Sequence, residues 1–438
     1  MNYSPAKTTV LFFLALIAAG FALLSLPFSR ADGQSFSALT SLFTAVSASC
    51  VTGLSVVNIS AYFSFFGQLV ILALMQLGGI GYMLVTTAAA LLLGKIALKD
   101  KRVMHELFDI SSFGDLSKII FKAVFFVFTI EAVGALILTI VFLKDFSFFK
   151  ALYFGIFHSV AAFCNAGFSL FSDSMSLYAS SPAILYTMSF LVILGGIGFF
   201  VIVDLYDAFK NSRLHLLTHT KVVLSMTAGI IFFSFLFFLF FTDIEILKGN
   251  GLLYCVNNAF FQSASARTAG FSSVPIYLFD DFAEITLSAL MFIGAAPGGT
   301  GGGLKVTTLA LVFIFVRGML KGESEFTIFK SRIPRDLIEK ALTVFILFVF
   351  AAIVFSAVLV LLEHDKKPID VIFEAVSAVS TAGLSIGISH SLSGAGKITV
   401  ILAMILGRVG IISALILMLS SKQQTNKVQY PQSRIMVG

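Results

Sequence analysis

SARTAGFSS, Ser265–Ser273, places an arginine, small residues and a glycine inside an otherwise strongly apolar chain. Alone it reads as a polar turn. It has three near copies: SCVTGLS from Ser49, FCNAGFS from Phe163 and STAGLS from Ser380. The four phrases align on Gly53, Gly167, Gly270 and Gly383. Each then has a phenylalanine ten residues earlier (Phe43, Phe157, Phe260, Phe373) and a serine two residues later (Ser55, Ser169, Ser272, Ser385). Alanine or serine fills the fifth and sixth positions before each glycine, and leucine or phenylalanine follows it. A phrase that returns at intervals of roughly 110 residues marks an internal repeat of whole structural units.

Composition sets the medium. Of 438 residues, 58% are hydrophobic and 12% charged, against about 25% charged in a typical soluble domain. Lipid must therefore solvate most of the surface. Eight apolar spans fall near 8–28, 67–93, 119–143, 183–203, 222–242, 283–317, 338–362 and 397–420, each close to or above the ~20 residues that cross a bilayer. The first follows Lys7 but runs apolar from Val10 to Phe28, beyond the about 7–15 residues of a signal-peptide core, so it reads as a retained helix. The cysteines, Cys50, Cys164 and Cys255, suggest neither a disulfide framework nor a metal cluster and read as packing residues.

Eight spans return both termini to one side. Lysine and arginine gather on that side, in 95–122, 210–221, 317–340 and after Lys422, while the other side carries more acid than base. The basic excess marks the cytoplasm. The expectation is a multi-pass protein of the cell membrane (inner or plasma membrane), with both termini cytoplasmic. The net charge of +6 then reports topology and not nucleic-acid binding, and the acidic outer face concentrates cations.

Each unit has one layout: an apolar helix leading outward, a half-length segment ending in the glycine phrase, and an apolar helix returning. Irregular backbone at membrane depth is tolerated only inside protein or beside water. Four re-entrant loops meet that condition by facing one axis. The expected fold is an all-α membrane protein of four tandem helix–pore loop–helix repeats, eight transmembrane helices around a central pseudo-fourfold pore. Repeat 1 covers 1–94, followed by a cytoplasmic connector, 95–118; repeat 2 covers 119–210, followed by the connector 211–221. Repeat 3, with an intramembrane glycine-rich loop, covers 222–318, followed by the connector 319–337; repeat 4 covers 338–421, followed by a cytoplasmic tail, 422–438. Glycine permits positive φ and lets carbonyls turn toward the axis, where rings of carbonyls replace a cation's water shell. No phrase holds Asp or Glu, which suits a monovalent cation.

These motifs resemble the Trk/Ktr/HKT superfamily of potassium transporters, most nearly the KtrB-type membrane subunit, over nearly the whole chain. The resemblance implies a homodimer with one pore per subunit and a cytosolic, nucleotide-binding (ATP/ADP) regulatory ring of the KtrA type. It implies potassium as the transported ion, with sodium as a second ion or a regulator, and no cofactor in this chain. Glycine in all four positions then goes with potassium preference. The potassium-binding filter would comprise Val51, Thr52 and Gly53; Asn165, Ala166 and Gly167; Thr268, Ala269 and Gly270; and Thr381, Ala382 and Gly383.

The returning helices carry LGGIG at Leu77 and at Leu194, and LGRVG at Leu406. For Gly78, Gly81, Gly195 and Gly198 the simplest reading is close helix approach. Arg408 occupies the column of Gly79 and Gly196 and is expected to project toward the axis, inward of the filter, as the superfamily's fourth-repeat arginine does. A salt bridge to Glu131, an acid in the middle of the third span, is the alternative. In the third repeat the motif gives way to GAAPGGTGGGLK, Gly294–Lys305, which cannot continue a helix. It lacks the Gly-Lys-Ser/Thr succession of a phosphate-binding loop. It reads as a gate that resembles the intramembrane loop of KtrB, with Gly294, Pro297, Gly298, Gly299, Gly301, Gly302, Gly303, Lys305 and Arg408 as gate residues. Arg267 is expected to point away from the axis and pair with an outer acid such as Glu374, Asp280 or Asp281. His215 and His219 sit one turn apart on a basic connector and read as solvated or partner-facing.

The leading reading is a gated subunit passing potassium down its electrochemical gradient, worth about 2.3 kcal/mol per charge per 100 mV; it is not an enzyme. The alternative is a sodium- or proton-coupled potassium symporter, but such proteins often show inverted repeats, and these four run in the same direction. A voltage sensor would need an arginine-rich helix, which the sequence lacks.

Overall fold

The computed structural model describes residues 5–92, 113–210, 215–241, 251–323 and 325–410. Most of the connector expected at 95–118, the end of the eighth span and the tail 422–438 lie outside the described residues.

The chain is predominantly helical, and its helices come in four successive sets. The first is α1 (Pro5–Leu24), the short α2 (Ala38–Ser49) and α3 (Phe65–Leu92). The second is α4 (Phe113–Phe142), the short α5 (Phe148–Phe163), α6 (Pro182–Gly196) and α7 (Phe199–Lys210). The third is α8 (Thr218–Phe240), the short α9 (Leu252–Ser265), α10 (Asp281–Phe292) and α11 (Val306–Lys321). The fourth is α12 (Arg335–Leu362), the short α13 (Pro368–Val379) and α14 (Gly394–Val409). Several starts are written locally. Ser37, Asp280 and Ser393 accept from the amides of Thr40, Ala283 and Gly396, each satisfying a donor that the first turn leaves open. Pro182 and Pro368 stand where a missing N–H costs nothing.

The short helices are the inner layer. Phe43, Phe157 and Phe373 are fully buried, so three of the four recurrent phenylalanines anchor the short helices in the packed centre. Outer faces are apolar as well: Phe121, Phe125, Phe128 and Leu136 of α4 are all exposed. A surface of that kind is stable against lipid and not against water. Among the described residues, Phe121–Phe142, α8 and α12 are long and apolar enough to cross a membrane unbroken.

Two expected spans are not continuous helices. The span expected at 183–203 is divided into α6 and α7, which meet at 96°, with Gly198 at φ +87° in the break. The span expected at 283–317 is divided into α10 and α11 by the loop between them. The two breaks repair each other. The amide of Phe199 donates to Gly298 at 3.2 Å, while Gly195 and Gly196 accept from Thr300 (3.0 Å) and Ala296 (2.9 Å). Backbone groups freed in one helix are thus satisfied by the other, as buried irregular backbone requires. The connector at 319–337 holds one element outside the all-α expectation, a β-hairpin of β1 (Phe326–Ile328) and β2 (Ser331–Ile333).

Candidate functional site

Each short helix ends in a turn built from residues that rarely make one. After α2 the amide of Thr52 donates to Ser47 (2.8 Å) and that of Val51 to Ala48 (3.1 Å). After α5 Ala166 donates to Ala161 and Asn165 to Ala162, and after α13 Ala382 donates to Ser377 and Thr381 to Ala378. This paired closure requires a left-handed residue just past the helix, normally glycine. Here Val51 (φ +56°), Asn165 (φ +55°) and Thr381 (φ +48°) take it. The third phrase reaches the same point differently. Its helix stops at Ser265, Ala269 donates to Ser265, and Thr268 is left-handed at φ +64°.

Two residues on, the glycines meet. Gly53, Gly167, Gly270 and Gly383 all have positive φ. A Cβ built on Gly53 would lie 2.8 Å from the Cα of Gly167, one on Gly167 would lie 3.0 Å from Gly270, and one on Gly270 would lie 3.2 Å from Gly383. A Cβ on Gly383 would strike the carbonyl oxygen of Thr52 and lie 3.2 Å from Gly53, which closes the ring in chain order. Each glycine also faces the carbonyl oxygen preceding the next glycine: Ala166, Ala269, Ala382 and Thr52 in turn. The twelve residues expected as a filter therefore lie together around one axis.

Three of the side chains two residues before the glycines, Asn165, Thr268 and Thr381, lie against the loop, whereas that of Val51 lies against Gly78. Added Cβ atoms on Gly301 and Gly302 of the loop would meet Thr268 Oγ1, Asn165 Nδ2 and Thr381 Oγ1, so the loop is seated directly against the ring. Asn165 Nδ2 donates to Thr300 Oγ1 (3.0 Å), which donates to the carbonyl of Phe163 (2.8 Å). Thr268 Oγ1, Thr381 Oγ1 and Asn165 Oδ1 are buried without a hydrogen-bond partner. Buried oxygens of this kind carry a desolvation cost.

Three buried or half-buried cations hold the loop by its carbonyls. Arg267 donates to Gly294 (3.3 Å), Lys305 to Gly301 (2.8 Å), and Arg408 to Thr300 and, from its other nitrogen, to Gly78 on α3 (2.6 Å). Among the described residues no carboxylate pairs with any of the three. Arg267 therefore does not pair with Glu374, Asp280 or Asp281 as expected: it reaches the loop instead, donating to the Gly294 carbonyl. The alternative for Arg408 also fails: Arg408 donates to Thr300 and Gly78, while the Glu131 carboxylate accepts from Gln76 Nε2 at 2.8 and 3.0 Å and from Cys164 Sγ at 4.0 Å. Arg408 and Lys305, with Gly298, Gly299 and Gly303, line a cavity of about 380 Å³ beside the loop.

The reading of close approach holds for Gly78 and Gly195, whose added Cβ atoms would strike the carbonyls of Ser49 and Phe163. Gly407 stands likewise against Val379. Gly198 also stands in close approach, its added Cβ lying 2.7 Å from the Pro297 carbonyl oxygen, and it marks the helix break as well. His215 is exposed and His219 half-buried, and no metal-binding cluster occurs among the described residues. Cys50 and Cys164 are buried, as expected of packing residues. The sequence reading missed that Gly195 and Gly196 receive the loop; a second LGGIG facing a glycine-rich partner was the only available signal.

Four glycines and the carbonyls beside them thus form a ring, with the loop seated against it, among helices whose outer faces are apolar. The family model for TrkH, described as a cation transport protein, matches residues 6–430. The potassium/sodium uptake protein NtpJ of Enterococcus hirae is 34% identical, over 99% of this chain and 97% of its own length. The Ktr system potassium uptake protein B of Bacillus subtilis is 33% identical, over 100% of this chain and 98% of its own length. The protein of the same name from Vibrio alginolyticus is also 33% identical, over 99% and 94%. The crystal structure of the potassium transporter TrkH from Vibrio parahaemolyticus superposes with a TM-score of 0.74 at 20% identity, covering 95% of this chain and 85% of that one, and shows the shared fold. The chain belongs to the TrkH family of cation transport proteins, and the relatives are transporters, not enzymes.

Proposed function

We propose that this chain is the potassium-translocating membrane subunit of a Ktr-type uptake system. Potassium passes through the ring made by Gly53, Gly167, Gly270 and Gly383 with the carbonyls around it. The loop Gly294–Lys305 is the gate, held by Arg267, Lys305 and Arg408. Four helix–pore loop–helix repeats span a cell membrane as eight segments with both termini in the cytoplasm. Two such subunits form a dimer, and a cytosolic ring that binds ATP or ADP acts on the loop through the basic connectors.

The observation that carries this reading is the ring itself, closed in chain order by four glycines, with Gly301 and Gly302 seated on the side chains beneath it. Carbonyl dipoles without fixed anions favour a monovalent cation that sheds its water readily. The names of the relatives point to potassium, and that of NtpJ adds sodium.

Ion flux in liposomes reconstituted with the full chain, with and without a cytosolic partner, tests the reading. Reversal potentials that follow the potassium gradient, with flux raised by the partner, are expected. A reversal potential displaced by a fixed sodium or proton stoichiometry would instead make the protein a coupled symporter.

A further inference from the structure

The serine two residues after each glycine contributes no carbonyl to the ring, yet it recurs in all four phrases. In three of them its Oγ accepts from the amide two residues further on: Val57 at 3.3 Å, Phe171 at 3.0 Å and Gly387 at 2.9 Å. That is the side-chain turn serine forms where a chain changes direction. In the second and fourth repeats a residue nine positions before the glycine adds a second hold. His158 on α5 is fully buried. Its Nδ1 lies 2.8 Å from the carbonyl of Phe154, which can only accept, so Nδ1 carries the proton and Nε2 is an acceptor. Nε2 receives the amide of Leu170 at 3.3 Å and faces Ser169 Oγ at 3.2 Å. The ring stacks on Phe171 at 4.8 Å and 11°. Glu374 occupies the equivalent place on α13, also fully buried, and accepts from Ser385 Oγ at 3.1 Å and from Ser389 Oγ. The third repeat offers Gln262, one residue later, to Ser272. In the first repeat Thr44 holds the place, with its Oγ1 unpartnered.

We propose that His158 and Glu374 are positioning residues for ion selectivity. Each ties the segment leaving its filter phrase back to the short helix that delivers it, and so fixes the outer rim of the ring in two facing quarters. The inference rests on the reading of the glycine ring as a filter. A phrase with left-handed residues at Asn165 or Thr381 keeps its shape only if both ends are held. The helix-end turn holds one end and the serine the other. An imidazole nitrogen and a carboxylate oxygen can both serve here because each accepts from a donor on the departing segment, the Leu170 amide in one case and the Ser385 hydroxyl in the other.

The test is the potassium-to-sodium permeability ratio of the full chain in liposomes, read from reversal potentials. The variants are His158→Ala, Glu374→Leu and Glu374→Gln, with Gly167→Ser alongside. His158→Ala and Glu374→Leu should lower the ratio about three- to tenfold, as expected for one or two lost hydrogen bonds. Glu374→Gln retains an acceptor oxygen and should stay within about twofold. Should either brace variant fail to fold, Ser169→Ala and Ser385→Ala carry the same expectation. An unchanged ratio in the brace variants beside a shift in Gly167→Ser overturns the brace and leaves the filter standing. No shift in any variant overturns the filter reading itself. Equal losses in Glu374→Gln and Glu374→Leu overturn the acceptor role.

Discussion

Val51 and Thr381 are β-branched residues in a left-handed conformation, which costs on the order of 1–2 kcal/mol each. They persist because hydrogen bonds on both sides and full burial over-determine them. The glycines two residues later were legible from their spacing alone. The left-handed residues were not, since their types argue against that conformation and only the assembled ring demands it. At Gly53 φ is +94°, and a Cβ there would lie 2.5 Å from the Ala166 carbonyl oxygen. Gly53→Ser should therefore push that carbonyl aside and reduce the preference for potassium over sodium. Uptake of the two ions by potassium-starved cells measures it, and unchanged preference at normal expression would remove Gly53 from the filter.

At the scale of elements, LGGIG teaches a limit of sequence reading. At Leu77 the motif lies within the unbroken α3, and at Leu194 the same five letters contain a 96° bend. The difference is supplied by the loop some hundred residues later, whose amides take over the carbonyls of Gly195 and Gly196. No local propensity contains that information. The glycine content of the loop was legible, and so were Lys305 and Arg408 as residues that belong with it, but Arg267 was not, because it donates to a backbone carbonyl that the sequence cannot distinguish. Arg408→Ala should release Thr300 and raise flux in the absence of a partner, while ion preference stays. Arg408→Lys should restore the block only in part, because one ammonium lacks the planar fork that reaches carbonyls on two elements. Partner-free flux in liposomes ranks the three. Deleting the eight residues from Ala296 to Gly303 should raise flux further and remove most dependence on the cytosolic partner. It should also lower the melting temperature, since it strands buried cations. A deletion variant that folds but stays silent without partner would place the gate elsewhere.

At the scale of the whole molecule, Glu363 is the centre of a polar contact that joins two helices. It follows α12, accepts from Lys366 Nζ at 2.7 Å and from the amide of Ser393 at 2.8 Å, and so joins α12 to the start of α14. Burial alone would raise its carboxyl, but the bonds from Lys366 and Ser393 outweigh that and hold it below the usual carboxylate range. A depressed folded value contributes stability above the unfolded pKa of about 4.3, which is lost as pH falls through the lower folded value. Glu363→Gln should lower the melting temperature at pH 7 by about 2–4 °C. It should also flatten the acid side of the stability curve below about pH 4.3. A thermal-shift series across pH reads both, and an unchanged acid limb would show that Glu363 does not link the two helices.

The ring closes where Gly383 meets Thr52 and Gly53, the far ends of one polypeptide. In a tetramer of identical chains every substitution is printed four times, and whatever opens one quarter must open all. Here each quarter has its own codons. The fourth returning helix could acquire an arginine, and the third could dissolve into a loop, while the first kept its uninterrupted helix. If the loop is the gate proposed above, a division of labour follows: three quarters stay still and guard the choice of ion while the remaining one moves.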